Sequence, residues 1–207
     1  MLKLYSHELS GNCYKARLLL SLLNLEHEVI QVDLMAGEHK SPEYLKLNSF
    51  GQVPVLVDEE MVLPDSQAIL VYLARRYGDD NWLPVDAEPL SRVVRWLSTA
   101  AGEIQQGVGA ARRYYLLGEK NINIEVATQK AENILKILND HLSDRQWLEL
   151  DRPTIADVAA FPYVALAPDG KIDLASYPNV VAWIERIKNL SGFVGMTGIE
   201  ARTPAAI

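Results

Sequence analysis

The sequence predicts two units in tandem: an α/β unit of order β-α-β-α-β-β-α over residues 1–78, then an all-helical unit over 89–207. Three observations carry this. In the first 78 residues short apolar runs alternate with helical spacing, whereas beyond residue 88 every periodic stretch is helical. Between the two, 79–88 gathers Asp79, Asp80, Asn81 and Pro84 with little periodicity, as a linker does. The composition, 49% hydrophobic and 23% charged, is that of a chain able to build packed cores.

Leu2 to Tyr5 is a short apolar run suited to a buried strand. Ser10-Gly11-Asn12 is a helix-start signal, and Leu18, Leu19, Leu22 and Leu23 continue that helix to about Asn24. His27 to Asp33 reads as a second strand, giving a βαβ opening with a parallel pair. Ser41-Pro42-Glu43 starts a short helix, with proline at its first position. Pro54–Val57 and Met61–Leu63 form a hairpin around Asp58-Glu59-Glu60, which lacks the Asn-Gly or Asp-Gly of a primed turn. From Ser66, the residues Ala68, Ile69, Val71, Tyr72 and Leu73 mark a helix that stops at Gly78. Four helices follow: Pro89 to about Leu117, Ile124–Leu142, Thr154–Ala167, and Pro178 to about Leu190. The tail from Ser191, ending Pro-Ala-Ala-Ile, is expected to be loosely held.

Composition also narrows the function. One cysteine excludes an intramolecular disulfide framework, and with four scattered histidines it offers no metal-ligand cluster, so no metal is expected. A net charge of −7 argues against nucleic acid, whose phosphates call for a basic face. No apolar run reaches 18 residues, and Met1 to Tyr5 does not open a signal peptide. A soluble, cytoplasmic protein without membrane partners is expected.

Ser10-Gly11-Asn12-Cys13 follows the first strand and opens the first helix, where free N–H groups and the helix dipole stabilise an anion. Ser10 is either a plain N-cap or a donor to a thiolate placed there. Cys13 lies one turn inside, as a small core residue or a nucleophile. Val53-Pro54, after Gln52, is a trans strand start or a cis turn that presents the Val53 backbone. Asp65 or Ser66 caps the third helix; the same geometry binds a carboxylate at Ser66 while Asp65 faces an ammonium. His39-Lys40 is a solvated pair or the cationic partner of a second carboxylate.

Taken in order, these describe a site for an extended thiol peptide. The sequence resembles the cytosolic glutathione transferase family through Leu2–Ser10, Asn48–Leu56, Leu63–Leu73 and Pro153–Ala159, nearly the whole chain being covered. Thr154 and Asp157 in the last block read as a capping box, a folding signal. The resemblance implies a thioredoxin-like N-terminal domain, an all-helical C-terminal domain, a homodimer, and glutathione as cosubstrate in detoxification chemistry. By position, Ser10 looks like the thiol-activating serine of the Theta-like and bacterial classes. Gln52, Val53, Pro54 (in cis), Asp65 and Ser66 would hold glutathione, with His39 or Lys40 on its glycyl carboxylate. His7, Leu9, Asn12, Gln106, Arg112, Arg113 and Tyr114 would line the pocket for a small hydrophobic electrophile, although Arg112-Arg113 also reads as a solvated helix end. Ser10-Gly11-Asn12 further resembles the Thr-Pro-Asn of the Nu class, which implies disulfide or organic hydroperoxide reduction as the alternative. A non-catalytic glutathione-binding or interaction module is the third reading.

Overall fold

The computed structural model describes residues 1–200. Strands β1 (Leu2–Ser6), β2 (His27–Gln31), β3 (Val55–Asp58) and β4 (Met61–Pro64) form one sheet, ordered β2-β1-β3-β4. β1 and β2 are parallel across helix α1 (Gly11–Leu22), and β3 is antiparallel to both its neighbours. The register sets up the site. Ser6 pairs with Gln31, Tyr5 with Val55, and Val55 with Pro64. The ends of β1, β2 and β4 and the start of β3 therefore share one edge. With strands about 4.8 Å apart, the four connecting loops open side by side.

Helix α2 (Pro42–Leu47) begins as the sequence predicts, with the Ser41 hydroxyl oxygen accepting the Tyr44 N–H at 3.2 Å. The hairpin closes in two residues, Glu59 taking a φ of 53° where no glycine is available. α3 (Ser66–Arg76) ends two residues before Gly78, whose N–H turns back to the Leu73 carbonyl.

In the helical unit, α4 (Ala87–Thr99) starts two residues before Pro89. Proline fits there because N–H groups of a first turn have no helical acceptor. The single helix expected to Leu117 is one continuous run to Leu116, but its middle, Ala100–Gly109, winds as a π-helix before α5 (Ala110–Leu116). Apolar spacing reports which face is buried, not the hydrogen-bond ladder, so this widening was invisible in sequence. α6 (Ile124–His141), α7 (Ile155–Ala165) and α8 (Pro178–Lys188) complete the fold. α7 is buried on every side and, Asp157 apart, largely apolar; it packs against α1, α3 and α4, so it joins the sheet unit to the helices. None of the helices among the described residues is long and apolar enough to cross a membrane.

The tail departs from expectation. The Tyr14 hydroxyl donates to the Val194 carbonyl at 2.6 Å, and Ser21 Oγ donates to the Gly192 carbonyl at 2.7 Å. Phe193 packs edge-on to Phe161, while Met196 and Ile199 exchange two backbone hydrogen bonds and are buried. Gly192 is required here: its φ is +83°, and a Cβ would lie 2.7 Å from the Ser21 carbonyl oxygen. Polar, glycine-bearing sequence therefore did not mean loose attachment up to residue 200. The closing Pro-Ala-Ala-Ile lies outside the described residues.

Candidate functional site

Ser10 is the N-cap of α1, with extended φ and ψ, and its Oγ accepts the Cys13 N–H at 3.2 Å. The capping and chemical readings are therefore compatible. Capping uses an oxygen lone pair and leaves the hydroxyl hydrogen free to donate. That hydrogen can point to Cys13 Sγ, a weak acceptor, or to an anion outside the turn, where a charge-assisted bond is stronger. Cys13 itself is wholly buried, its Sγ accepting the His7 N–H at 3.4 Å. Burial pushes its thiol up by more than Ser10 and His7 bring it down, as befits a core residue.

The loop before β3 carries a cis Val53-Pro54 bond. The Gln52 carbonyl is fixed by the Tyr44 hydroxyl at 3.0 Å and by Asn48 Nδ2 at 2.8 Å. Among the described residues, neither backbone group of Val53 has a hydrogen-bond partner, which leaves both for an extended peptide. Lys40 folds over this loop, Nζ donating to the Phe50 and Gly51 carbonyls at 3.0 and 2.9 Å. Gly51 makes the approach possible: its φ is +57°, and a Cβ would sit 2.6 Å from the His39 carbonyl oxygen. The Lys40 ammonium is thus tied to the loop just before Gln52 and Val53, while its side chain stays exposed.

Asp65 caps α3 from a φ of 76°, one oxygen accepting the Gln67 and Ala68 N–H groups at 2.8 and 3.0 Å. Its second oxygen is left for a cation, and Ser66 stands at the first turn of the same helix. Behind it lies a residue that sequence reasoning missed. Lys15 on α1 is fully buried, with no hydrogen-bond partner for Nζ, which sits 5.4 Å from the Tyr163 ring centroid. Burial lowers Lys15 to about 7, against the upward pull of the Asp65 carboxylate. Between about 7 and 10.5 the unfolded chain holds this proton and the folded one does not, so stability from this group rises with pH across that window. Lys15→Met is expected to stabilise the protein by about 1–4 kcal/mol at pH 7. Urea unfolding should show that advantage shrinking by about pH 9; an unchanged midpoint at pH 7 would mean that the ammonium is not desolvated.

The residues expected around the electrophile separate. His7, with Nδ1 3.3 Å from the Val32 carbonyl, lies on the β1–α1 loop with Leu9, and Asn12 is partly exposed in the first turn of α1. Arg112 reaches this loop, Nη1 donating to the Leu9 carbonyl at 2.8 Å. Far from being a solvated helix end, it is buried. Arg113 pairs with Glu119 at 3.5 Å, and Tyr114 lies under Lys120 Nζ, 3.9 Å from its ring centroid. Gln106 is not brought to the cluster: it is exposed and takes the Lys130 ammonium of α6. A step of one residue along this π-helical stretch already turns the side chain to another face. Its neighbour Gln105 instead bonds Tyr163, whose ring lies against Gly11.

A mixed sheet of this topology, an all-helical unit behind it, and loops gathered on one sheet edge define a thioredoxin-like protein of two parts. Residues 1–75 match the family model described as glutathione S-transferase, N-terminal domain, and residues 94–190 the corresponding C-terminal domain. The chain belongs to the glutathione S-transferase family. It is 33% identical over 198 residues to glutathione S-transferase 3 of Zea mays, covering 90% of this chain and 88% of that one. It is 29% identical over 187 residues to the disulfide-bond oxidoreductase YfcG of Escherichia coli, covering 86% of each. Among solved structures, a glutathione S-transferase from Xanthobacter autotrophicus superposes with a TM-score of 0.87 at 31% identity, covering 94% of this chain and 96% of that one.

Proposed function

We propose that this chain is a Ser-type, Theta-like bacterial glutathione transferase in which Ser10 holds the glutathione thiolate for attack on a small hydrophobic electrophile. One observation carries the reading: the Ser10 hydroxyl stands at the N-terminus of α1, on the sheet edge that also carries Val53-Pro54 and Asp65-Ser66. Val53 then pairs with the cysteinyl backbone, and Gln52, Asp65 and Ser66 hold the γ-glutamyl end. The His39-Lys40 turn faces the glycyl carboxylate, with Pro54 shaping the loop. The thiolate displaces a leaving group from carbon, and the proton it has lost goes to solvent. A free thiol near pKa 8.5 is only ~3% thiolate at pH 7. Lowering it by two units makes most of it thiolate, a differential stabilisation of about 2.7 kcal/mol. A charge-assisted hydrogen bond and the helix dipole supply energy of that order.

Reduction of disulfides or organic hydroperoxides is the second reading. The similarity to a disulfide-bond oxidoreductase favours it, as does Asn12 beside the same helix start. A non-catalytic binding module fits less well, because such a module would tolerate loss of the residues at Ser10, Val53 and Asp65. The test is a panel on purified protein with glutathione and an aryl halide, an organic hydroperoxide or a small mixed disulfide. Aryl conjugation is the expected activity; disulfide or peroxide turnover without conjugation would move the chain to the reductase class. If nothing turns over, glutathione titrated by calorimetry decides: tight binding means that the wrong electrophile was offered, and no binding favours the module. Family likeness supports a homodimer in the cytoplasm, and a sedimenting species at the monomer mass of 23.1 kDa would contradict the dimer.

A further inference from the structure

We propose that Arg112 is a positioning residue for Ser10, acting from the helical unit through the Leu9–Ser10 peptide; this rests on the reading of Ser10 given above. Arg112 is 2% exposed, and its guanidinium is held at two points. Nε donates to Asp169 Oδ2 at 2.9 Å, and Nη1 donates to the Leu9 carbonyl at 2.8 Å. That carbonyl belongs to the peptide bond whose nitrogen is Ser10 N, which itself donates to the His7 carbonyl at 3.1 Å. The peptide entering the N-cap is therefore pinned on both sides, once from within its own turn and once from α5. A buried two-point guanidinium contact fixes the orientation of an N-cap far better than the loop alone, since no side chain of residues 7–10 reaches the Leu9 carbonyl. Nη2 is buried without a hydrogen-bond partner, so the side chain's polar contacts are the two made by Nε and Nη1. The titratable or charged groups on the elements that meet here are His7 and Glu8 on the loop, Cys13, Tyr14, Lys15 and Arg17 on α1, Arg113, Tyr114 and Tyr115 on α5, and, facing them, Asp157, Tyr163 and Asp169.

Two mechanisms are separable. If Arg112 works by placing Ser10, its loss raises the pKa of the bound thiol only while Ser10 is present. If it works as a bare positive charge, the shift persists without Ser10. The experiment is a pH profile of kcat/KM for glutathione conjugation, with thiolate absorbance of the bound tripeptide, on Arg112→Met, Arg112→Lys, Asp169→Asn and Ser10→Ala/Arg112→Met. Expected for Arg112→Met is an apparent thiol pKa higher by about one unit. Turnover at pH 7 should fall severalfold by the same factor for two unlike electrophiles, with the glutathione KM within about twofold. Arg112→Lys should recover part of this. The double variant should match Ser10→Ala alone, the non-additivity of residues acting through one another. A further shift in the double variant would overturn the positioning role, and so would an electrophile KM that rises while the pKa stays put. Should Arg112→Met fail to fold, Asp169→Asn carries the test: a smaller shift in the same direction is expected, and an unmoved profile overturns the proposal. Failure of the underlying reading looks different, since Ser10→Ala would then itself leave the thiol pKa unchanged.

Discussion

Ser10→Ala should raise the pKa of enzyme-bound glutathione by about 1–2 units, the worth of one hydrogen bond to a charged group. If the bound thiol lies two units below a free one, turnover at pH 7 drops by roughly 3- to 25-fold as the thiolate fraction falls. Glutathione affinity changes little, because the contacts assigned to Val53, Asp65 and Ser66 are untouched. The sign fixes the rescue: raising the pH to about 9 restores most of the rate, since the unassisted thiol ionises there without help. Ser10 also caps α1 through Cys13 N, so alanine costs about 0.5–2 kcal/mol of stability as well. Ser10→Asp separates the two roles. Aspartate caps a helix as well as serine, yet it places a negative charge against the thiolate. Its stability should stay near that of the parent while its activity falls below that of Ser10→Ala. Equal pH profiles for parent and alanine variant would remove Ser10 from the chemistry.

How much of this was legible in the sequence depends on how far apart the partners lie along the chain. Ser10, Ser41, Asp65 and Thr154 each cap a helix through an amide two or three residues ahead, so a local motif sufficed to find them. The parallel opening pair and the hairpin were likewise local readings, whereas the shared edge rests on β1 pairing with β3, a contact between distant segments. What stayed hidden was set by contacts across long separations. Arg112 meets the Leu9 carbonyl 103 positions away, and Tyr14 meets Val194 across 180. Nothing in the periodicity near Arg112-Arg113 distinguishes a solvated pair from one buried and one paired side chain. Lys15 was missed for the same reason. It occupies a core position of α1 among Tyr14, Ala16 and Leu18, where composition alone suggests a charged side chain turned outward. The π-helical stretch set Gln105 on Tyr163 and sent Gln106 to α6, a choice that helical spacing leaves open by one residue.

Asp157→Ala should be the most damaging single change to the fold, costing about 3–5 kcal/mol as a buried charge network is broken. The carboxylate is buried and takes four donors. Oδ2 accepts the Thr154 N–H at 2.9 Å and the Thr154 hydroxyl at 3.3 Å, and Oδ1 accepts the Leu148 N–H at 3.0 Å and Trp183 Nε1 at 2.9 Å. It thereby ties the start of α7 to the segment before it and to α8. Alanine leaves buried N–H groups on Thr154, Leu148 and Trp183 without this acceptor, each worth about 1–3 kcal/mol of desolvation. Asp157→Asn keeps one oxygen and loses less. The pH dependence has a definite sign. Burial pushes the Asp157 carboxyl up to about 6, so the folded chain holds a proton that the unfolded chain has released between the ordinary aspartate value and about 6. Stability from this group therefore falls as pH rises through that window and is flat above it. Urea unfolding at about pH 5 and pH 7 should show the gap between the parent and either variant narrowing at the higher pH. The difference between the two variants should stay constant, because neither titrates. A parent-to-alanine gap below about 1 kcal/mol at pH 5 would show that α7 is held by its apolar packing alone.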